Sequence, residues 1–243
     1  MFRAIPLLLA LLLPHGAPAS EAPYQPPGDT LPFDAGPVTG ALMLPSDFVP
    51  GTRGVVIMLH DAFGPDPRSA PYEDQLLSAG VPVISVLTGA APDIMAEVTA
   101  AAAADPRLRA RGVALLGFGE GARLALAAEG GFAARALLYP GCDALPVPGG
   151  AHPLLLAHGT EDPANTEAAC ADAAFRWGRE GRQVRHIAYR GASYAWDAAA
   201  FGRELRYRLP RPDGEGHVIA EPWPQLARMS ASEVAGFLAQ ALR

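Results

Sequence analysis

The chain contains no lysine: all 19 of its basic residues are arginine, and they are scattered rather than clustered. The first absence removes Schiff-base chemistry and any Ser-Lys dyad. The scatter leaves no basic patch, so no nucleic-acid partner is expected. Cysteine is almost missing too. Only Cys142 and Cys170 occur, with no Cys-x-x-Cys and no Cys/His cluster, so neither a redox dithiol nor a metal site is expected. No metal or other cofactor is expected. Past the first twenty residues no apolar run is long enough to cross a bilayer, and no repeat of solenoid length recurs. Oligomeric state leaves no mark in the sequence.

What is present suits one α/β domain. The chain has 243 residues, 50% of them hydrophobic, with a formal charge of −6. Its start, residues 1–19, reads as a secretory signal. Arg3 supplies the basic end, Ala4 to Leu13 a short apolar run, and Ala17-Pro18-Ala19 a small-x-small cleavage site before Ser20. The expectation is an exported protein, periplasmic or extracellular, with a proline-rich extended arm over 20–37 and the folded domain over 38–243. In an oxidising compartment Cys142 and Cys170 are expected to pair, two separate thiols being the alternative.

The apolar runs alternate with helical segments. Val38 to Leu44, Gly54 to Leu59, Val81 to Leu87, Gly112 to Leu116, Arg135 to Tyr139, Pro153 to His158 and Gln183 to Tyr189 read as strands. Arg68 to Gly80, Pro92 to Ala104, the stretch after Gly121, and Asn165 to Arg179 read as helices. A closing helix is expected from Ser230 to Leu242, capped by Ser230 or Ser232. This order predicts a mostly parallel, doubly wound sheet. Ligands of such sheets bind at the carboxyl ends of the strands.

One strand end is singular. Gly117-Phe118-Gly119-Glu120-Gly121 lies between a strand and a helix and has the frame Gly-x-Ser-x-Gly, with glycine at the serine position. That frame is a nucleophile elbow, whose strained turn lifts an Oγ or Sγ over the sheet. Glycine keeps the bend, relieves about 1–3 kcal/mol of strain and removes the nucleophile.

Further landmarks follow in order: His60-Asp61-Ala62-Phe63-Gly64, Tyr139-Pro140-Gly141-Cys142, His158-Gly159-Thr160-Glu161-Asp162, and Tyr189 through Asp197. With the elbow, they resemble the dienelactone hydrolase family of α/β-hydrolases, particularly its exported members, across nearly the whole domain. The resemblance implies an α/β-hydrolase fold, ester or lactone chemistry, and a triad of Cys or Ser, Asp and His in that order. Here the three positions hold Gly119, Asp162 and Tyr194. The family's Gly-Ala-x-His-Ala-Phe becomes Gly191-Ala192-Ser193-Tyr194-Ala195-Trp196. Nucleophile and base are both lost, and a phenol with a reference pKa of about 10 is a poor base at neutral pH.

By the same pattern the oxyanion donors are the backbone amides of Ala62 and Glu120, and Asp61 stands where the family carries a glutamate near the nucleophile. Tyr194 is expected to donate to Asp162, leaving that acid structural. His60 and His158 either brace loops or serve as substitute bases. Phe63, Phe118, Tyr139, Tyr194 and Trp196 either line an apolar pocket or pack in the core. The leading expectation is a non-catalytic hydrolase-like protein that binds a small carboxylate, ester or lactone. The alternatives are a hydrolase of unorthodox mechanism and a structural or partner-binding protein whose pocket Tyr194 closes.

Overall fold

Successive side chains of a strand point to opposite faces, and the central strands of this chain are apolar on both. In β3 (Val55–Leu59), Val56 and Met58 join the core on one side of the sheet while Val55, Ile57 and Leu59 join the core on the other. The computed structural model describes residues 28–61, 64–88, 91, 95–198, 206–214 and 216–243. The expected signal segment therefore lies outside the described residues.

The elements run β1 (Asp29–Ala35), β2 (Val38–Leu44), β3, α1 (Ala70–Ser78), β4 (Val83–Thr88), α2 (Met95–Ala104), β5 (Val113–Phe118), α3 (Glu120–Ala127), β6 (Arg135–Leu138), β7 (Leu154–Gly159), α4 (Glu167–Arg179), β8 (Val184–Tyr189), β9 (Tyr207–Pro210), β10 (His217–Ala220) and α5 (Pro224–Ala241). An eight-stranded sheet has the order β1-β2-β4-β3-β5-β6-β7-β8. β1–β2 and β2–β4 pair antiparallel, and the remaining pairs are parallel. Helices α1 and α5 contribute to one core, and α2, α3 and α4 to the other. The expected α/β architecture is the observed one.

From β3 the chain moves to β4 on one side and then to β5 on the other. The order therefore reverses at the β3/β5 boundary, where a crevice opens at the carboxyl ends of such strands.

Part of the expected arm is sheet. Phe33 and Ala35 are buried, and β1 forms a hairpin with β2 in which Ala35 pairs with Val38. Pro32 fits there because β1 is an edge strand. The closing helix starts earlier than the serine caps predict, at Pro224. A proline in the first turn has φ already set and forfeits no helical donor. Ser230 is instead inside the helix, where its hydroxyl donates to the Ala227 carbonyl at 3.1 Å.

Cys142 and Cys170 are bonded, 28 residues apart in sequence. The link joins the loop after β6 to the buried face of α4. Among the described residues no helix is long and apolar enough to cross a membrane.

Candidate functional site

β5 ends at Phe118 and α3 begins at Glu120, so Gly119 alone makes the turn. It does so with φ 52° and ψ −115°, a conformation that L side chains adopt only under strain. Gly117 and Gly121 serve a different need. A Cβ on Gly117 would run into the backbone of Ala122, and one on Gly121 into the carbonyls of Leu59 and His60. The glycines let α3 lie directly against β5 and β3. The strand-turn-helix bend therefore forms around a glycine at its centre.

Tyr194 takes the space. A Cβ on Gly119 would overlap the Tyr194 hydroxyl, with the Asp61 Cβ next at 3.3 Å. The Tyr194 ring is 0% exposed and packs edge-on against Tyr139, centroids 4.9 Å apart. Beside it Ala195 has a positive φ of 47°, and the rings on either side, Tyr194 and Trp196, are both fully buried. Burial pushes the Tyr194 hydroxyl well above the ordinary phenol range, so it stays protonated. It has no hydrogen-bond partner among the described residues.

The expected Tyr194–Asp162 bond is not formed. Asp162 Oδ1 accepts from the Ala164 amide at 2.8 Å and Oδ2 from Asn165 Nδ2 at 2.9 Å. The acid turns into its own loop because donors two and three residues away satisfy it locally, as acids in Asx turns are satisfied. Burial raises its pKa to about 6 even so.

The histidines at the strand ends are braced. His60, after β3, has Nε2 2.8 Å from the Ser85 hydroxyl, and burial lowers its pKa to about 4. His158, at the end of β7, donates from Nδ1 to the Gly159 carbonyl at 3.0 Å, which leaves Nε2 to accept from His186 Nε2 at 3.0 Å. Asp61 pairs with buried Arg68, Nη1 to Oδ2 at 2.7 Å, and Arg68 also holds Asp66. Sequence reasoning gave Arg68 no role. Its one local signal is the Asp66-Pro67-Arg68 turn leading into α1.

A second missed group is Asp197, 4% exposed. Its carboxylate accepts from the hydroxyls of Tyr72 and Tyr139, each at 2.8 Å, and burial raises its pKa to about 6. This cluster explains the aromatics. Phe118, Tyr139 and Trp196 are core residues beneath the elbow, and the Trp196 indole donates to Ser230 at 3.0 Å. Ala62 and Phe63 lie outside the described residues, so of the two expected oxyanion donors only Glu120 has a described place, in the first turn of α3.

Two spaces adjoin the elbow. A void of about 10 Å³ is bordered by Asp61, Glu120, Tyr194 and Pro210 to Pro212. The turn of the β9–β10 hairpin thus closes over Tyr194 and the start of α3. Beside it a groove of about 710 Å³ runs from His60, Asp61 and Glu120 past Leu87, Leu124, Leu145 and Pro146. It lies at the sheet's order reversal. Among the described residues no group of three or more His, Cys, Asp or Glu side chains could hold a metal.

No family model matches the chain, and no curated protein matches it by sequence. Solved structures do match. Esterase 2 of Thermogutta terrifontis, phosphoramylated by tabun, has a TM-score of 0.63 at 14% identity, covering 90% of this chain and 96% of that one. A mutant of the esterase rPPE gives 0.63 at 15% identity over 88% and 82%. A thermostable esterase from Pseudomonas putida gives 0.62 at 14% over 88% and 83%. At such identities the likeness carries the fold alone: the chain has the α/β-hydrolase fold.

Proposed function

We propose that this chain is a lapsed hydrolase of the dienelactone hydrolase type, an exported protein that binds a small molecule beside its elbow without cleaving it. One observation carries the reading: the Tyr194 hydroxyl lies where the side chain of a nucleophile at Gly119 would project. The rest is consistent with it. Asp162 is committed to its own loop, and His60, with a pKa of about 4, is too weak a base to activate water near neutral pH. The groove supports the binding half of the reading, because its mostly apolar wall with a few polar groups at one end is the usual make-up of a ligand site. Export is supported by the signal-like start and by the Cys142–Cys170 bond, which suits an oxidising compartment.

The test is hydrolysis of a short-chain aryl ester, together with labelling by a fluorophosphonate, a reagent that needs an activated nucleophile. The native mature protein is expected to show no rate above buffer and no label. The Gly119→Ser/Tyr194→His double variant is expected to take the label. Native turnover that Asp162→Ala abolishes would refute the reading.

A further inference from the structure

A sheet edge is a row of unpaired backbone donors and acceptors, and soluble proteins guard such rows with proline, charge or a bulge. This sheet has two edges, and they differ. β1 carries Pro32 and the exposed acids Asp29 and Asp34. β8 has neither proline nor acid, and its six residues pair with β7 without a register shift. Its one permanent charge, Arg185, is already matched by Glu233 of α5 at 3.4 Å. Among the described residues no strand pairs with its outer side.

The ladder fixes which groups face outward. The Gln183 carbonyl accepts from the Leu154 amide at 2.9 Å and the Tyr189 carbonyl from the Thr160 amide at 3.0 Å. In a parallel pair alternate residues face the same neighbour, so Gln183, Arg185, Ile187 and Tyr189 face β7. Val184, His186 and Ala188 therefore turn their amides and carbonyls away from the sheet. A row centred on His186 is self-complementary. Under a two-fold axis at that residue, an antiparallel copy sets Val184 against the partner's Ala188, His186 against the partner's His186, and Ala188 against the partner's Val184. Each is a hydrogen-bonded pair in which both residues donate and accept.

We propose that β8 is a homodimer interface, at which two copies of this chain join their sheets edge to edge. The contact stands apart from the ligand groove and shares no wall with it. On the α5 face the side chains match as well as the backbone. Arg185 and Tyr189 both bond Glu233, at 3.4 and 2.7 Å, and Ile187 lies between them. In the antiparallel pair the partner's Arg185 falls opposite Ile187, so it reaches the same Glu233 as a second cation. The two-fold axis repeats this in the other direction, and two acids are then shared by two arginines. Beside the start of β8 a hollow of about 490 Å³ is lined by Gln183, Arg185, Phe237 and Gln240, and the partner's Ile187 faces it. Ile187 and Phe237 are only partly buried in the single chain, so apolar cover adds to the backbone bonds. An unrelated strand would supply those bonds without the charge match, which makes a second copy the fitting occupant.

The experiment follows the mass of the mature protein by light scattering and sedimentation over a dilution series, for the native chain, Ala188→Pro and Arg185→Glu. The native protein is expected at twice the chain mass at about 50 μM, a concentration that an interface of standard size should saturate. The proline removes an outward amide and none that bonds β7, so it should raise the dissociation constant at least about tenfold with the fold kept. The Arg185 side chain is 50% exposed, so Arg185→Glu leaves the core alone. It sets acid against acid across the axis and should likewise weaken the dimer at least about tenfold. Amide exchange locates the contact. In the dimer the Val184, His186 and Ala188 amides should be protected as their neighbours are, and dilution should release these three alone.

A monomer at about 50 μM overturns the inference. So does a dimer that either folded variant leaves unchanged, or one whose outward β8 amides exchange freely. Should Ala188→Pro fail to fold, Arg185→Glu and the exchange pattern decide between the same two outcomes. Ester cleavage and ligand binding enter none of these readouts, so the dimer stands or falls separately from the non-hydrolytic reading.

Discussion

At Gly119 a new side chain faces two obstacles at once, an unfavourable backbone conformation and the Tyr194 hydroxyl. Gly119→Ser alone is therefore expected to destabilise the protein by about 2–4 kcal/mol, from positive-φ strain together with overpacking. Adding Tyr194→His removes the overlapping oxygen and should return about 1–2 kcal/mol of that loss. Urea denaturation of both variants reads the difference, and equal stabilities would show that the hydroxyl does not guard the position. The turn at Gly119 was legible, because a strand, a glycine-rich turn and a helix make a local pattern. The partners of the buried acids were not. Asp162 takes its hydrogen bonds from its own loop, while Asp197 takes them from Tyr72 and Tyr139, 125 and 58 residues away.

Among the elements, the long apolar strands and their helices could be read directly, since a strand buried on both faces needs a run such as Val55–Leu59. The β9–β10 hairpin escaped. Its strands have four residues each, too few for a period to register, yet its turn roofs the elbow. β1 was hidden behind prolines that only an edge strand tolerates. The disulfide ties the loop after β6 to α4. Cys142 and Cys170 are separated by 28 residues, and closing a loop of that length restricts the unfolded chain by about 3–4 kcal/mol. Denaturation of the native protein with and without reductant is expected to show a loss of that order; an unchanged midpoint would mean that the native contacts of α4 suffice without the bond.

Over the whole molecule, buried acids and buried histidines oppose one another in acid. Asp162 and Asp197 have pKa values raised from 3.8 to about 6. Their contribution to stability is full below about pH 4 and is lost as pH rises through 6. His60 and His152 are lowered from 6.5 to about 4, so theirs is present above 6.5 and is lost as pH falls through 4. The two pairs offset each other between pH 4 and 6. Asp197→Asn separates them, because an amide can still accept from one tyrosine and donate to the other. Relative to the native protein, this variant should gain on the order of 1–3 kcal/mol as pH rises from 4 to 7. Thermal melts across that range provide the measurement, and a constant difference between the two proteins would contradict the raised carboxyl.

The contact between Tyr194 and Gly119 also bears on history. From this chain, serine at 119 comes first only by colliding with a phenol, and histidine at 194 comes first only by emptying a packed site with no nucleophile to serve. Each first step is a loss, and only the pair places a serine and a histidine there together without the collision. On the reading proposed above, the tyrosine acts as a ratchet: drift through single substitutions carries the chain away from hydrolysis far more easily than back to it.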